Sequence, residues 1–258
     1  MLINITIPVY NEELALPVSV PKVHRFLADS FRFNYELVIA NNASTDRTQE
    51  VAGRLAREFP GTRVVHLDLK GRGRALKKVW SESSADIFSY MDVDLSTGLG
   101  ALPPLIEALA GGSFDLGIGS RLHKQSQTNR GIKREFISRS YNHIVKLFFR
   151  TSFSDAQCGF KAITREAAQR LLPAVEDNGW FLDSELLILA EKSGYRIFDL
   201  PVKWTDDPDS RVKIVKTAWE DLKGLWRVRH GFKQGKYEAL KKLQAIQPTQ
   251  PRMAEPAR

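Results

Sequence analysis

Along the first 120 residues, short apolar runs alternate with longer stretches whose apolar positions recur at helical spacing. Leu2-Ile3-Asn4-Ile5-Thr6-Ile7-Pro8 is rich in β-branched residues and reads as a first strand stopped by Pro8. A loop at Val9-Tyr10-Asn11-Glu12 leads to a helix expected from about Glu13 to Ala28. Tyr35 to Ala40 reads as a second, buried strand. It ends in the polar turn Asn41-Asn42-Ala43-Ser44-Thr45-Asp46, which opens a helix through Leu55. Thr62 to Leu67 is a third strand, and Lys70-Gly71-Arg72-Gly73-Arg74 opens a helix to about Ser83. Ile87-Phe88-Ser89-Tyr90-Met91 is a fourth strand, a helix runs through Leu105, and Phe114 to Gly119 is a fifth strand. Strands alternating with helices across short loops predict an α/β fold, a mostly parallel sheet covered by helices on both faces.

After Ser120 the pattern changes. Arg121 to Lys133 is polar, lacks periodicity and predicts a mobile loop. Phe136, Ile137, Tyr141, Ile144, Val145 and Phe148 make one apolar helical face. Asp155 to Phe160 reads as a turn into a short strand. Trp180 to Glu185 begins a helix with Leu186, Leu187, Leu189 and Ala190 in the core, and Tyr195 to Val202 is a last strand. From Lys213 to about His230 an amphipathic helix sets Val215, Trp219, Leu222 and Trp226 against Lys216, Lys223, Arg227 and Arg229. From about Gln244 the chain is Pro/Gln-rich and reads as disordered.

The chemistry is concentrated where strands end. In a parallel sheet these ends share one edge, so Tyr10 and Glu12, Asn42 and Asp46, Lys70 to Arg74, and Asp92 with Asp94 would line one crevice. Alternation along an extended chain puts Asp92 and Asp94 on one side, where two carboxylates call for a hard cation, Mg2+ or Mn2+. A bare Asp-x-Asp fits a solvated turn or a helix N-cap equally well. A nucleotide diphosphate in the crevice would be served by helix N-termini and basic side chains. The Gly71-Arg72-Gly73 segment is not a dinucleotide fingerprint, and a basic surface turn is its plain alternative.

Composition narrows this modestly. Apolar (43%) and charged (26%) fractions are those of a soluble globular chain, and the single Cys158 excludes an internal disulfide. The first residues read as a strand with no signal peptide, and no apolar run approaches the ~20 residues of a bilayer span. The formal charge of +8 implies polyanionic company: nucleic acid, anionic lipid or phosphorylated substrate.

The order Pro8-Val9-Tyr10-Asn11-Glu12, Asn42-Ala43-Ser44-Thr45-Asp46, Lys70-Gly71, Asp92-Val93-Asp94 and Gly119-Ser120-Arg121 resembles the family 2 glycosyltransferases with the GT-A fold. Asp155-Ala156-Gln157-Cys158-Gly159-Phe160-Lys161, Phe181 to Leu187, and Val202-Lys203-Trp204 through Ser210-Arg211-Val212 resemble the dolichyl- and polyprenyl-phosphate glycosyltransferases, closest to the glucosyl branch. The resemblance covers roughly residues 2 to 230. It implies that Pro8, Tyr10, Glu12, Asn42, Asp46, Lys70 and Asp92 border the nucleotide sugar, with Asp92 and Asp94 as metal ligands and Asp94 the main one. It implies Arg121, Arg134 and Ser138 at the acceptor phosphate, Asp183 and Glu185 near the donor sugar or catalytic centre, and Arg211 closing over the diphosphate. Simple capping of a helix N-terminus is the alternative for Asp183 and Glu185. Two departures bear on the donor. Asn41 and Asn42 stand where many relatives have an acidic pair, and Leu95-Ser96-Thr97 follows Asp94 where mannosyl enzymes more often have glutamine. UDP-glucose is favoured among UDP- and GDP-sugars.

The activity so implied is inverting, metal-dependent transfer of a hexose from a nucleotide diphosphate sugar to a polyprenyl monophosphate. A phosphate nucleophile is already anionic near neutral pH and needs no strong base. A catalytic domain is expected over 1–230, its nucleotide half at about 1–120 and acceptor half at about 121–230, with 231–258 a basic extension and disordered tail. The place expected is the cytoplasmic face of a membrane, held by the basic Trp-bearing helix or by a membrane-spanning partner. The apolar face of 136–149 fits either that interface or packing on the sheet. A soluble acceptor is an alternative, as is a nucleic-acid-binding module, which would leave Asp92 and Asp94 unexplained.

Overall fold

A computed structural model describes residues 1–206 and 214–240. Strand β1 (Leu2–Val9) lies inside a seven-stranded sheet, flanked by β2 (Asn34–Asn42) and β4 (Ile87–Met91), with β3 (Thr62–Leu67) at one edge. These four run parallel, and the sheet order is completed by β7 (Phe160–Thr164), β5 (Leu116–Ser120) and β8 (Ile197–Pro201). The pairing of β1 with β4 ends at Thr6↔Tyr90, so Pro8 lies beyond the ladder on that side.

Side chains alternate across the sheet, and each strand therefore feeds two cores. Ile3, Ile5, Ile7, Leu37, Ile39, Ile87 and Met91 pack against helices α1 (Leu16–Ser30), α2 (Thr48–Glu58) and α4 (Leu102–Ala110). Val38, Ala40, Phe88, Tyr90, Leu116 and Ile118 face α3 (Arg72–Glu82), α5 (Ile132–Phe149), α6 (Arg165–Leu171), α7 (Leu182–Lys192) and α8 (Ile214–Lys233). The expected mostly parallel, doubly covered sheet is therefore present.

Strand β7 is antiparallel to both neighbours, with Met91↔Phe160 and Ile118↔Lys161 in register. Its N-terminal end, and the turn before it, thus reach the edge where the parallel strands end. Residues 121–133 are less free than their composition predicts. Within them β6 (Gln127–Asn129) pairs with β9 (Lys203–Thr205), and Ser126 Oγ donates to the Ser120 carbonyl at 2.6 Å.

Of the apolar face expected on α5, Tyr141 and Val145 are core together with Phe149, while Phe136 is 72% exposed. The packed body also extends past the expected boundary at 230, because Tyr237 and Leu240 are buried in the same core as α8. No helix among the described residues is long and apolar enough to cross a membrane. Arg211 and the Pro/Gln-rich tail lie outside the described residues.

Candidate active site

Strand β4 ends at Met91, and the next residues turn at once: the Leu95 amide donates to the Asp92 carbonyl at 3.2 Å, with Leu95 at φ 53°. Asp92 and Asp94 are therefore set by a tight turn rather than by alternation along an extended chain. Asp94 is exposed, and its Oδ1 accepts from the Ser96 amide at 2.9 Å. The Asp92 amide donates to the Gly159 carbonyl at 3.2 Å, and a Cβ on residue 159 would fall inside the Asp92 carboxylate. Glycine in the Asp155–Lys161 motif thus allows the turn before β7 to approach the Asp92 side chain.

Arg72 is the hub of the site. Its guanidinium is 10% exposed, with Nη2 2.6 Å from Asp92 Oδ1 and Nη1 2.7 Å from Asp183 Oδ2. It lies 4.8 Å from the ring centroids of both Tyr90 and Trp180. The Tyr90 hydroxyl donates to Asp183 Oδ1, and Lys161 Nζ sits 3.3 Å from that hydroxyl and 3.5 Å from the carboxylate. Burial, and then the Asp183 charge, push the Tyr90 phenol well above its usual range, so it stays a donor. Two cations thus face Asp92 and the nearly inaccessible Asp183, which keeps a buried cluster of charge close to balance.

The basic turn 70–74 does not offer its helix N-terminus to a ligand. The Gly73 and Arg74 amides donate to the carbonyls of Gly179 and Asn178, and a Cβ on Gly71 would lie 2.5 Å from the Asn178 carbonyl. Lys70 stays exposed, its Nζ 3.3 Å from the Tyr10 ring centroid.

Several residues suggested by the sequence hold the loops of the crevice together. Asn42, 5% exposed, accepts from the Gly71 amide at 2.6 Å, and Asn41 is shared among Gln49, His66 and the Ser44 amide. Both ends of the Asn41 amide are thus taken, as is the Asn42 oxygen. Asp46 accepts from the Thr48 hydroxyl and amide and from the Glu13 amide. Burial opposes its charge, but those hydrogen bonds hold the carboxyl below its usual range. The Glu12 amide donates to Thr48 Oγ1 at 2.7 Å, so the loops after β1 and β2 are stitched together.

Glu185 is fully buried and faces α8, not the crevice. Its oxygens accept from Arg227 at 2.8 and 3.0 Å, and Oε2 also accepts from the Asp177 amide. Its role near a donor sugar has no support in this placement. Arg227, expected on a basic outer face, is directed inward by the same pair.

Beside the acidic cluster lies a group of arginines at the start of α5. Arg121 grips Asp155 with two side-chain contacts, 2.7 and 2.9 Å, and the buried Asp155 is drawn down to about 2 against burial by that guanidinium. Arg134 pairs with Asp206 at 3.2 Å. Ser138 is held through Arg130, whose Nη2 donates to Ser138 Oγ at 3.0 Å and to the Arg134 carbonyl at 3.2 Å. Burial and then Arg121 lower the Arg130 pKa, so positive charge is crowded here. Arg130, Lys161, Tyr90 and Trp180 are not among the site residues the sequence suggests, although Lys161 closes the quoted Asp155–Lys161 motif and Tyr90 is the next-to-last residue of the strand before Asp92.

Asp92 and Asp94 supply hard oxygen donors, and the described residues contain no group of three or more His, Cys, Asp or Glu side chains suited to a metal. Such a sparse donor pair fits Mg2+ or Mn2+ completing its shell with phosphate oxygens and water, rather than a closed protein cage.

A family model described as Glycosyl transferase family 2 matches residues 4–172. Glycosyltransferase AglD of Haloferax volcanii is 38% identical over 83% of this chain, which spans 35% of that protein's length. Dolichyl-phosphate beta-glucosyltransferase ALG5A of Trichomonas vaginalis is 28% identical over 88% of this chain and 76% of its own. The crystal structure of glucosyl-3-phosphoglycerate synthase from Mycobacterium tuberculosis with Mn2+, UDP and glucosyl-3-phosphoglycerate superposes with a TM-score of 0.66. It covers 89% of this chain and 80% of its own at 20% identity, and the likeness is one of fold.

Proposed function

Because the chain belongs to glycosyl transferase family 2 and is a glycosyltransferase, we propose that it transfers a hexose from a nucleotide diphosphate sugar to a polyprenyl monophosphate. The observation that carries this reading is the juxtaposition of two sites of opposite character. The Asp92–Asp94 turn, backed by Arg72, lies at the C-terminal edge of β4, and the Arg121–Arg130–Arg134 group stands at the start of α5. The first suits a metal-bridged diphosphate and the second an anionic acceptor.

In this reading Pro8, Tyr10, Glu12 and Lys70 border the nucleotide, and Asp92 and Asp94 would hold Mg2+ or Mn2+, which would supply positive charge to a leaving diphosphate. Asn42 and Asp46 act by fixing the loops behind it. Arg72, Tyr90 and Lys161 hold Asp183, which keeps the floor of the site preorganised. Arg134, Arg121 and Ser138 orient the acceptor phosphate, whose oxygen attacks the anomeric carbon with inversion. Arg211 is assigned to the diphosphate. UDP-glucose is the favoured donor, given the glucosyl relatives. The catalytic unit is 1–240, and the enzyme works on the cytoplasmic face of a membrane, where its acceptor is embedded.

The test is a screen of UDP- and GDP-sugars against a prenyl phosphate and a soluble sugar-phosphate acceptor, with Mn2+, Mg2+ or EDTA. Metal-dependent formation of a prenyl-phosphate sugar is expected. Transfer only to the soluble acceptor would overturn the acceptor assignment and leave the glycosyltransferase intact.

A further inference from the structure

Helix α8 has two opposite stripes. Asp221, Leu225 and Val228 are buried against the sheet-covering layer, and Arg227 is turned to Glu185. The other stripe leaves Trp219 at 61%, Leu222 at 40% and Trp226 at 66% exposure, at spacings of three and four residues that align them on one face. Lys223, Arg229, His230 and Lys233 are exposed among them. Lys223 Nζ lies 5.3 Å from the Trp219 ring, and Trp226 stacks parallel on His230 at 5.3 Å.

This stripe is continuous with the end of α5. A groove of about 460 Å³ between the two helices is lined by Leu147, Phe148, Trp226, Arg229, His230 and Lys233, and Leu147 is 70% exposed. Arg229 closes one side, donating to the Phe148 carbonyl at 3.0 Å with its guanidinium 5.1 Å from the Phe148 ring. Lys146 and Arg150 are exposed beside it, with Glu220 the acidic residue on the adjoining turn of α8. Two tryptophans, two leucines and a ring of cations left in water on one contiguous surface call for a partner.

We propose that this α5–α8 face seats the enzyme on an anionic lipid surface. Tryptophan with lysine and arginine matches the depth where apolar rings meet headgroups, and the charge complements anionic lipid. The choice of lipid over protein as occupant rests on the acceptor being a prenyl phosphate. The inner side of α8 is anchored to α7 through Arg227–Glu185 and to the Asp155–Lys161 turn through Gln157 Nε2, which donates to Asp221 at 2.9 Å. Seating α8 therefore places the Asp155–Lys161 turn at a set position relative to the membrane.

The experiment is cosedimentation of the full chain with neutral phosphatidylcholine vesicles and with vesicles containing phosphatidylglycerol, at low and high salt. It compares wild type, Trp219→Ser/Trp226→Ser and Lys223→Gln/Lys233→Gln, with melting curves to show that each folds. Wild type is expected to bind the anionic vesicles, more weakly in high salt. The lysine pair should lose at least about tenfold, given about 1 kcal/mol for each basic residue near such a surface. Both variants should retain transfer to a short, water-soluble prenyl phosphate and lose transfer to a long-chain acceptor in vesicles. Wild type that ignores anionic vesicles while glycosylating the short acceptor overturns this seat and leaves the proposed reaction standing, with a protein partner as the occupant. Vesicle binding without any prenyl-phosphate product overturns the reaction and leaves the seat. Variants that bind like wild type overturn the residue assignment.

Discussion

Arg72 Nη2 lies 2.6 Å from Asp92 Oδ1 in an ion pair between a nearly buried guanidinium and a partly exposed carboxylate, although one residue opens α3 and the other follows β4. Nη1 of the same guanidinium reaches Asp183, so one side chain spans the Asp92 carboxylate and the start of α7. Removing it leaves Asp183, only 4% exposed, short of one of its cations. Breaking a buried pair from one side costs about 3–5 kcal/mol. Arg72→Ala is therefore expected to lose most of its transfer activity and to lower the unfolding free energy by that order, seen as a lower urea midpoint. Arg72→Lys, with charge but a single prong, should fall between. Wild-type activity and midpoint in Arg72→Ala would remove its organising role.

Asp94 lies at the exposed end of the same turn, so its loss should touch chemistry and not folding. Asp94→Asn is expected to lower transfer by at least about a hundredfold. Stability should stay within about 0.5 kcal/mol, as for most exposed positions. Calorimetry of UDP in the presence of Mn2+ gives a second readout, with the metal-dependent part of the affinity lost. Near-normal transfer in excess EDTA would sink the metal-dependent mechanism.

Glu185 and Arg227 are expected to behave in the opposite way. Arg227→Met leaves a fully buried carboxylate facing Glu176, which shares Arg227 at 3.0 Å, and should cost about 3 kcal/mol. The double variant Glu185→Gln/Arg227→Met should cost less than the sum of its singles, since the unpaired charge is gone. Once corrected for folded fraction, kcat should be close to wild type. A large kcat loss in stable Glu185→Gln protein would return Glu185 to the catalytic group.

These contrasts show what kind of information a sequence carries. The strand before Asp92 was legible because apolar run, length and terminal carboxylate are all local. The direction of β7 was not, because a short strand after an irregular turn pairs equally well either way, and only the antiparallel choice brings Gly159 beside Asp92. The type and place of Asn42 suit contact with a nucleotide, and what no local pattern shows is that its oxygen is taken by the Gly71 amide, 29 residues away. Arg72 looked like one of several basic residues at a helix start. The acids that claim it come from the turn after β4 and from α7, and no spacing rule links them.

Arg134 and Arg121 should separate by the exposure of their partners. Arg134 is one-third exposed and pairs with Asp206, so Arg134→Ala should raise KM for the prenyl phosphate with donor affinity unchanged. Arg121→Ala strands the completely buried Asp155, whose carboxyl is held near 2 by that guanidinium, and should destabilise the fold as well. Donor affinity lost in Arg134→Ala by calorimetry, with acceptor KM intact, would reverse the assignment.

Asp221 gives the fold a pH dependence of unusual sign for an acid. Burial, and then the carboxylate of Asp177, push it up to about 7; Glu220 and Asp183 add to this, and the hydrogen bond from Gln157 offsets only part. Among the described residues no basic side chain pairs with it. In the unfolded chain an aspartate titrates near 3.9. Between those values the native state holds a proton that the unfolded state has lost, so stability falls as pH rises from about 4 to about 7 and stays reduced above. A gap of that size corresponds to roughly 4 kcal/mol. Asp155 acts oppositely, its contribution being lost only as pH falls toward about 2, so it leaves the neutral range alone. The melting temperature should therefore decline between pH 5 and pH 8 in the wild type. Asp221→Asn keeps the shape and an acceptor for Gln157 but cannot ionise, so its melting temperature should exceed the wild type at pH 8 and converge with it at pH 5. Parallel profiles for the two proteins would show that Asp221 is ionised throughout, with its charge compensated by a group other than those facing it here.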